Sequence, residues 1–295
     1  MIRFVRFLTF VALLGSLVLL SQRAAHAQTY EIETKRDIVY GTGGGEKLML
    51  DLATPKDAQG PRPAIVFIHG GGWAAGNRSS HFGHIKEAAR RGYVSVTVTY
   101  RLATDKKNKF PAQVEDVKCA VRWLRSQAKE LNVDPKRIGA IGFSAGAHLA
   151  MMLGVMDQGD GLEGQGGSAD QSSKVQAVVS YFGPTDLMLQ YPPTSKAIVR
   201  KFIGGSKEEK AETYKRASPI TYVNAGDAPM LLFQGTKDVL VPYEQAFVMA
   251  EALSKAGVPG RVELLLGRNH GWGGKEITRT VDAGWKFFDR YLITP

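Results

Sequence analysis

The sequence predicts an α/β fold: a mostly parallel twisted sheet with helices on both faces and an antiparallel hairpin at its start. Short apolar runs rich in β-branched and aromatic residues alternate with helix-like stretches through most of the chain. That alternation is the signature of crossover connections between parallel strands. Ahead of it, Arg36–Tyr40 and Lys47–Leu52 flank Gly41-Thr42-Gly43-Gly44-Gly45, which reads as a hairpin. No repeat or linker divides residues 28–295, a length suited to one large domain with a well-buried core.

The elements follow in order. Ala64–His69 and Tyr93–Tyr100 read as strands joined by a helical stretch around His81–Arg91. Gln113–Leu131 carries apolar residues at Val114, Val117, Ala120, Val121, Leu124, Ala128 and Leu131, a 3.6-residue period, with Pro111 just ahead of its first turn. Arg137–Phe143 is a buried strand and Ala145–Met156 the helix after it. Val175–Phe182, Met230–Phe233 and Arg261–Leu266 continue the strands, and Glu244–Ala256 and Thr278–Leu292 are the later helices. Asp157–Lys174, rich in Gly, Ser, Gln and Asp, is a loop. The preceding helix runs away from the carboxyl ends of the strands, so this loop is expected at the end of the domain remote from a ligand site, where it makes a poor lid.

Residues 1–27 read as a leader rather than part of the fold. Arg3 and Arg6 give a charged start, Phe7 to Leu20 is apolar, and Ala25-His26-Ala27 has the small-x-small pattern of a cleavage site. The apolar run falls short of the ~20 residues that span a bilayer, and no Cys near the cleavage site offers a lipid anchor. Cys119 is the lone cysteine, so no intramolecular disulfide forms even in an oxidising compartment. The formal charge of +10 includes three arginines of the leader, and the remaining basic residues are mixed with acids. That is a solvated surface, not a nucleic-acid footprint.

The chemistry concentrates in two glycine-rich turns. Gly142-Phe143-Ser144-Ala145-Gly146 lies between a strand and a helix. A turn this tight lifts a serine hydroxyl above the sheet and aims the next N–H, that of Ala145, at a developing oxyanion. His69-Gly70-Gly71-Gly72-Trp73 follows the strand Ala64–Ile68, and consecutive glycines let backbone N–H groups approach a substrate. Gly71, Gly72 and Ala145 are therefore the candidate oxyanion donors.

A serine nucleophile needs a base, and the base an orienting acid. Five histidines follow the leader. His148 lies one turn into the nucleophile helix, His81 and His84 on the first helix, and His69 reads as structural. His270 follows the last strand in the polar loop Arg268-Asn269-His270-Gly271-Trp272 and is the candidate base. Asp238, in Gly235-Thr236-Lys237-Asp238 after a strand, is the candidate acid, with Asp186 its chief competitor and Asp227 at the wrong end of its strand. Neither a dinucleotide nor a P-loop glycine spacing is present, and no His/Cys/Asp cluster has metal-site spacing, so no cofactor or metal is expected.

Taken together, these residues resemble the α/β-hydrolase superfamily, nearest to the carboxylesterase branch around hormone-sensitive-lipase-like and feruloyl/acetylxylan esterases. Beyond the motifs above, Tyr100-Arg101-Leu102, Phe110-Pro111, Asp116 with Trp123-Leu124, Asp134-Pro135 and Gly183-Pro184-Thr185-Asp186-Leu187 match in order, over nearly all of residues 28–295. The resemblance implies an α/β-hydrolase catalytic domain over residues 28–295 and a serine ester hydrolase working through an acyl-enzyme. A peptidase of the same superfamily and a non-catalytic binding module are the rival readings. Only Gln28–Lys35 separates the leader from the hairpin, which implies little or no cap, although Met188–Ala228 offers a partial cover. A cap-less cleft, export and the basic stretch Arg101–Lys109 beside that cleft suit short acyl or plant-polysaccharide-linked esters. The leader implies a periplasmic or secreted protein with no stable membrane insertion. N-terminal sequencing of the protein from its host is expected to begin at Gln28; an intact, membrane-bound chain starting at Met1 contradicts this reading.

Overall fold

A computed structural model describes residues 29–293; the leader and its cleavage site lie outside the described residues. One eight-stranded sheet organises them. The hairpin strands are β1 (Ile32–Gly43) and β2 (Glu46–Pro55), followed by β3 (Arg62–Ile68), β4 (Val94–Val98) and β5 (Val133–Phe143). The last three are β6 (Ala177–Tyr181), β7 (Met230–Gly235) and β8 (Gly260–Leu265). Their order across the sheet is β1-β2-β4-β3-β5-β6-β7-β8. β2 pairs antiparallel with β1 and β4, and every pair from β4 to β8 is parallel. Gly44 and Gly45 close the hairpin with φ of 55° and 81°, the positive values that a two-residue hairpin turn demands.

Side-chain alternation builds both layers. In β3, Ala64, Val66 and Ile68 point to one core, which contains α2 (Ala112–Ser126), α3 (Ala145–Val155) and α6 (Glu244–Lys255). Ile65 and Phe67 point to the other, under α1 (Phe82–Arg90) and α7 (Lys275–Phe288). The period of two, with both faces apolar, is what buries a parallel sheet on two sides. α3 is buried along its whole length.

Two differences from the sequence reading have physical causes. The 3.6-residue period runs to Leu131, yet α2 stops at Ser126. Ala128 and Leu131 still pack on the core, but from tight turns that lead the chain into β5. The loop after α3 starts at the remote end of the domain, as expected, with Lys174 paired to Asp157 at 2.7 Å and Asp227 at 3.6 Å. It does not stay there. Glu163 pairs with the buried Lys118 and Arg122 of α2, each at 2.7 Å, and Gly166 accepts the Thr42 N–H of β1. Two cations buried on a helix need a carboxylate, and satisfying them draws the loop along α2 to the hairpin.

Between β6 and β7 an excursion carries α4 (Pro193–Ile203) and α5 (Ala211–Arg216). It is the only sizeable cover among the described residues over the carboxyl ends of the central strands. None of the described helices is long and apolar enough to cross a membrane.

Candidate active site

Ser144 occupies the turn between β5 and α3 with φ 54° and ψ −121°. A non-glycine residue there is strained, and the surrounding packing must hold it. Its neighbours explain how. A Cβ on Gly142 would lie 2.1 Å from the Gly146 carbonyl oxygen, and one on Gly146 would lie 2.2 Å from that of Ile68. Only glycine at both flanks lets strand, helix and the end of β3 close on the turn.

Three loops then converge on the hydroxyl. Ser144 Oγ–H donates to His270 Nε2 at 2.9 Å, and His270 Nδ1–H donates to Asp238 Oδ2 at 2.8 Å. The Asp238 side chain is fully buried, and its oxygens are saturated. Oδ1 accepts the N–H groups of Leu240 and Val241 at 2.8 and 2.9 Å, and Oδ2 also accepts Gln234 Nε2–H at 3.0 Å. This many donors stabilise a buried carboxylate and fix its direction. The two loops are laced together, since Asn269 Oδ1 accepts the Val239 and His270 N–H groups and Arg268 O accepts that of Lys237.

The competing residues fall elsewhere. Asp186 turns its carboxylate to the Met188 N–H at 2.8 Å, and its backbone carbonyl is held by Gln245; it makes no hydrogen bond to His270 among the described residues. Asp227 caps Asn224 and pairs with Lys174. His69 is 2 % exposed, stacks on Tyr100 at 4.3 Å and contacts Gly70 O through Nδ1. His81 and His84 face each other at 3.2 Å beside Phe143, and burial pushes the His81 pKa down to about 3, with His84 and His69 adding to the effect. His148 is buried completely, and burial pushes it down to about 4. None of these four meets Ser144 Oγ.

Ser144 and His270 open onto a cavity of about 440 Å³. Gly70, Gly71 and Gly72 form one side, and no protein acceptor among the described residues takes the Gly71 or Gly72 N–H. Ala145 follows Ser144 as the first residue of α3. Phe182, Pro184, Tyr191, Ile198, Val199, Leu240 and Val241 make the remaining wall largely apolar. The basic stretch Arg101–Lys109 lies beside the cavity, with Ala103 N–H on the carbonyl of the lining residue Trp73, but it does not supply the polar rim expected of it. Arg101 turns inward to Asp116 and Glu115, and Lys109 reaches Lys201 O. The rim is set instead by the excursion.

Sequence reasoning missed three supports. Gln234 and Asn269 orient the acid and the imidazole loop, and Phe182, with φ 45°, lays its ring 4.6 Å from that of His270. A polar residue at the buried end of β7 and another directly before His270 were the available signals.

A strained serine above a parallel sheet, joined to an imidazole and a buried carboxylate in the chain order Ser, Asp, His, defines the α/β-hydrolase class. The chain belongs to the BD-FAE family, whose pattern matches residues 50–253. It is similar to Esterase LipQ of Mycobacterium tuberculosis, with 31% identity over 226 residues, 75% of this chain and 53% of that protein. The chain spans about half to three-fifths of the length of the curated relatives it matches. Among solved structures, a truncated carbohydrate esterase from gut microbiota superposes with a TM-score of 0.74 at 25% identity, covering 88% of this chain and 98% of that one. Esterase Est2 of Thermogutta terrifontis superposes with a TM-score of 0.73 at 29% identity, covering 90% and 93%. That enzyme is also known with propionate or butyrate bound and phosphonylated by sarin.

The geometry separates the two carboxylates. Asp238→Asn is expected to lower ester turnover by at least roughly 10³-fold in a folded protein, and Asp186→Asn to leave it within a few-fold. Steady-state kinetics on both variants checks this; the opposite ranking moves the acid to Asp186.

Proposed function

We propose that this chain is an exported serine carboxylic ester hydrolase acting on short-chain acyl esters, including acetyl or feruloyl groups carried on plant polysaccharide. The observation that carries the reading is the continuous hydrogen-bonded line from Ser144 through His270 to Asp238, opening beside the Gly71 and Gly72 N–H groups, which no acceptor among the described residues takes.

Ser144 Oγ attacks the ester carbonyl carbon while His270 Nε2 takes its proton. Asp238 holds the imidazole in that orientation and stabilises its charged form. The carbonyl oxygen becomes an oxyanion, received by the N–H groups of Gly71, Gly72 and Ala145; losing one such donor costs on the order of 10² to 10³ in turnover. The imidazolium returns its proton to the leaving alkoxide, and the alcohol departs. Water, deprotonated by the same imidazole, then attacks the acyl-enzyme, and collapse of the second tetrahedral species restores Ser144 and releases the acid.

Support for short acyl groups comes from the walls. Each buried CH₂ is worth about 0.8 kcal/mol, up to roughly fourfold in binding, while apolar wall lasts. Phe182, Tyr191, Ile198 and Val199 line an open space of about 440 Å³ beside Ser144, and the gain ends where that wall does. The propionate and butyrate complexes of Est2 and the carbohydrate esterase neighbour agree with this size and substrate class.

The expected kcat/KM is highest for acetyl to butyryl esters and falls by octanoyl, with release of acetate or ferulate from acetylated or feruloylated xylan. A rise that continues to long acyl chains, with no release from polysaccharide, points to a lipid ester substrate instead.

A further inference from the structure

The glycine strip that faces Ser144 has little regular structure to hold it. Gly71, Gly72 and Trp73 take φ of 111°, 56° and 57° in succession. Hydrogen bonds at its far end close the turn, from the Ala74 and Ala75 N–H groups to Gly71 O, and Ala103 N–H donates to Trp73 O. Its near end is held at Gly70, whose carbonyl meets His69 Nδ1 at 2.8 Å and accepts Tyr100 O–H at 3.4 Å. Beyond Gly70, the Trp73 side chain is a further restraint. That ring is 2 % exposed and stacks on Phe202 of α4 at 4.3 Å, with 10° between planes. Its Nε1–H donates to His148 Nδ1 at 3.2 Å.

His148 stands one turn after Ser144, and its backbone N–H donates to Ser144 O at 3.1 Å. Its ring meets Trp73 edge-on, 5.1 Å between centroids, and its Nε2 lies 2.7 Å from Ala217 O. The partners settle the proton. An indole N–H only donates and a carbonyl only accepts, so Nδ1 carries the lone pair and Nε2 the hydrogen. The imidazole thereby ties three separate segments together: the glycine strip, the first turn of the nucleophile helix, and the excursion between β6 and β7.

We infer that His148 is a positioning residue, which fixes the glycine strip relative to Ser144 by holding the indole of Trp73. It touches neither cavity nor Ser144 Oγ, so it acts through Trp73. A second contact shows how closely the strip is gripped: a Cβ on Gly72 would lie 2.7 Å from Ile198 of α4, so strip and excursion are packed backbone to side chain. Misplacing donors by an ångström costs up to roughly 10² in rate, and it does so in kcat because the donors serve the oxyanion rather than the bound ester.

The inference rests on the ester-hydrolase reading, and the experiment separates the two. Trp73→Phe keeps the ring on Phe202 and deletes the N–H. His148→Asn keeps an acceptor near the position of Nδ1 and loses the bond to Ala217; His148→Gln keeps a donor near Nε2 and loses the acceptor for Trp73. Purified variants are melted to confirm folding and assayed with p-nitrophenyl acetate. Trp73→Phe and His148→Gln are each expected to lower kcat by roughly 10- to 10²-fold with KM within about threefold. His148→Asn should recover most of the loss, and Trp73→Phe with His148→Gln should be no worse than either alone, as for two ends of one interaction. If the double variant falls by the product of the single losses, if only KM moves, or if folded Trp73→Phe keeps full kcat, His148 is core packing and the inference is wrong. If a His148 variant does not fold, Trp73→Phe alone decides. Wild-type protein inert toward every ester sinks both readings, whereas an active wild type with an unaffected Trp73→Phe sinks only this one.

Discussion

The structure depends on one tight crossing, where the end of β5, the start of α3 and the end of β3 meet around Ser144. Backbone occupies the space that side chains would take, with Gly142 against Gly146 and Gly146 against Ile68. That closeness is what sustains a positive φ at Ser144. It also sets the position of the glycine strip, because the strip leaves β3 directly after Ile68. A larger residue at either glycine would separate strand from helix and relax the serine into an ordinary conformation, taking the hydroxyl out of reach of His270.

Around this crossing the remaining groups are made rigid by saturation. Asp238 accepts four hydrogen bonds while fully buried, so its charge is compensated without a cation. His270 is placed by the Asn269 side chain, whose Oδ1 laces two loops together, and by the flank of Phe182. The excursion between β6 and β7 completes the arrangement from above. It supplies the apolar wall that shapes the cavity and, through Ala217 and Phe202, the seat for Trp73 and His148. Site and cover are therefore one packed unit.

The parts legible in the sequence are those dictated by local backbone demands. Gly142-Phe143-Ser144-Ala145-Gly146 and Gly70-Gly71-Gly72 are needed because no other residue fits, and strand periodicity placed both at the carboxyl ends of strands. Chain order fits Asp238 and Asp186 alike, since both lie between Ser144 and His270 and both come after strands, and the donors from Gln234, Leu240 and Val241 that distinguish them are visible only in three dimensions. Long-range charge was not legible at all. Nothing local in Asp157–Lys174 shows that Glu163 neutralises Lys118 and Arg122. The apolar wall was hidden for a similar reason: Tyr191, Ile198 and Val199 are spread through a segment that otherwise reads as polar and basic. His148 read as a packed helix residue, because its two hydrogen-bond partners lie 75 and 69 positions away along the chain.

The central claim is that Ser144 becomes covalently acylated. Its most direct measurement is mass spectrometry of the intact protein and its peptides after treatment with paraoxon, which transfers a phosphoryl group to an activated serine. The account predicts one adduct per chain, on the peptide containing Ser144, with loss of ester turnover in proportion to labelling and no adduct in Ser144→Ala. Labelling at another residue that tracks the loss of turnover, or full turnover in Ser144→Ala, would contradict it.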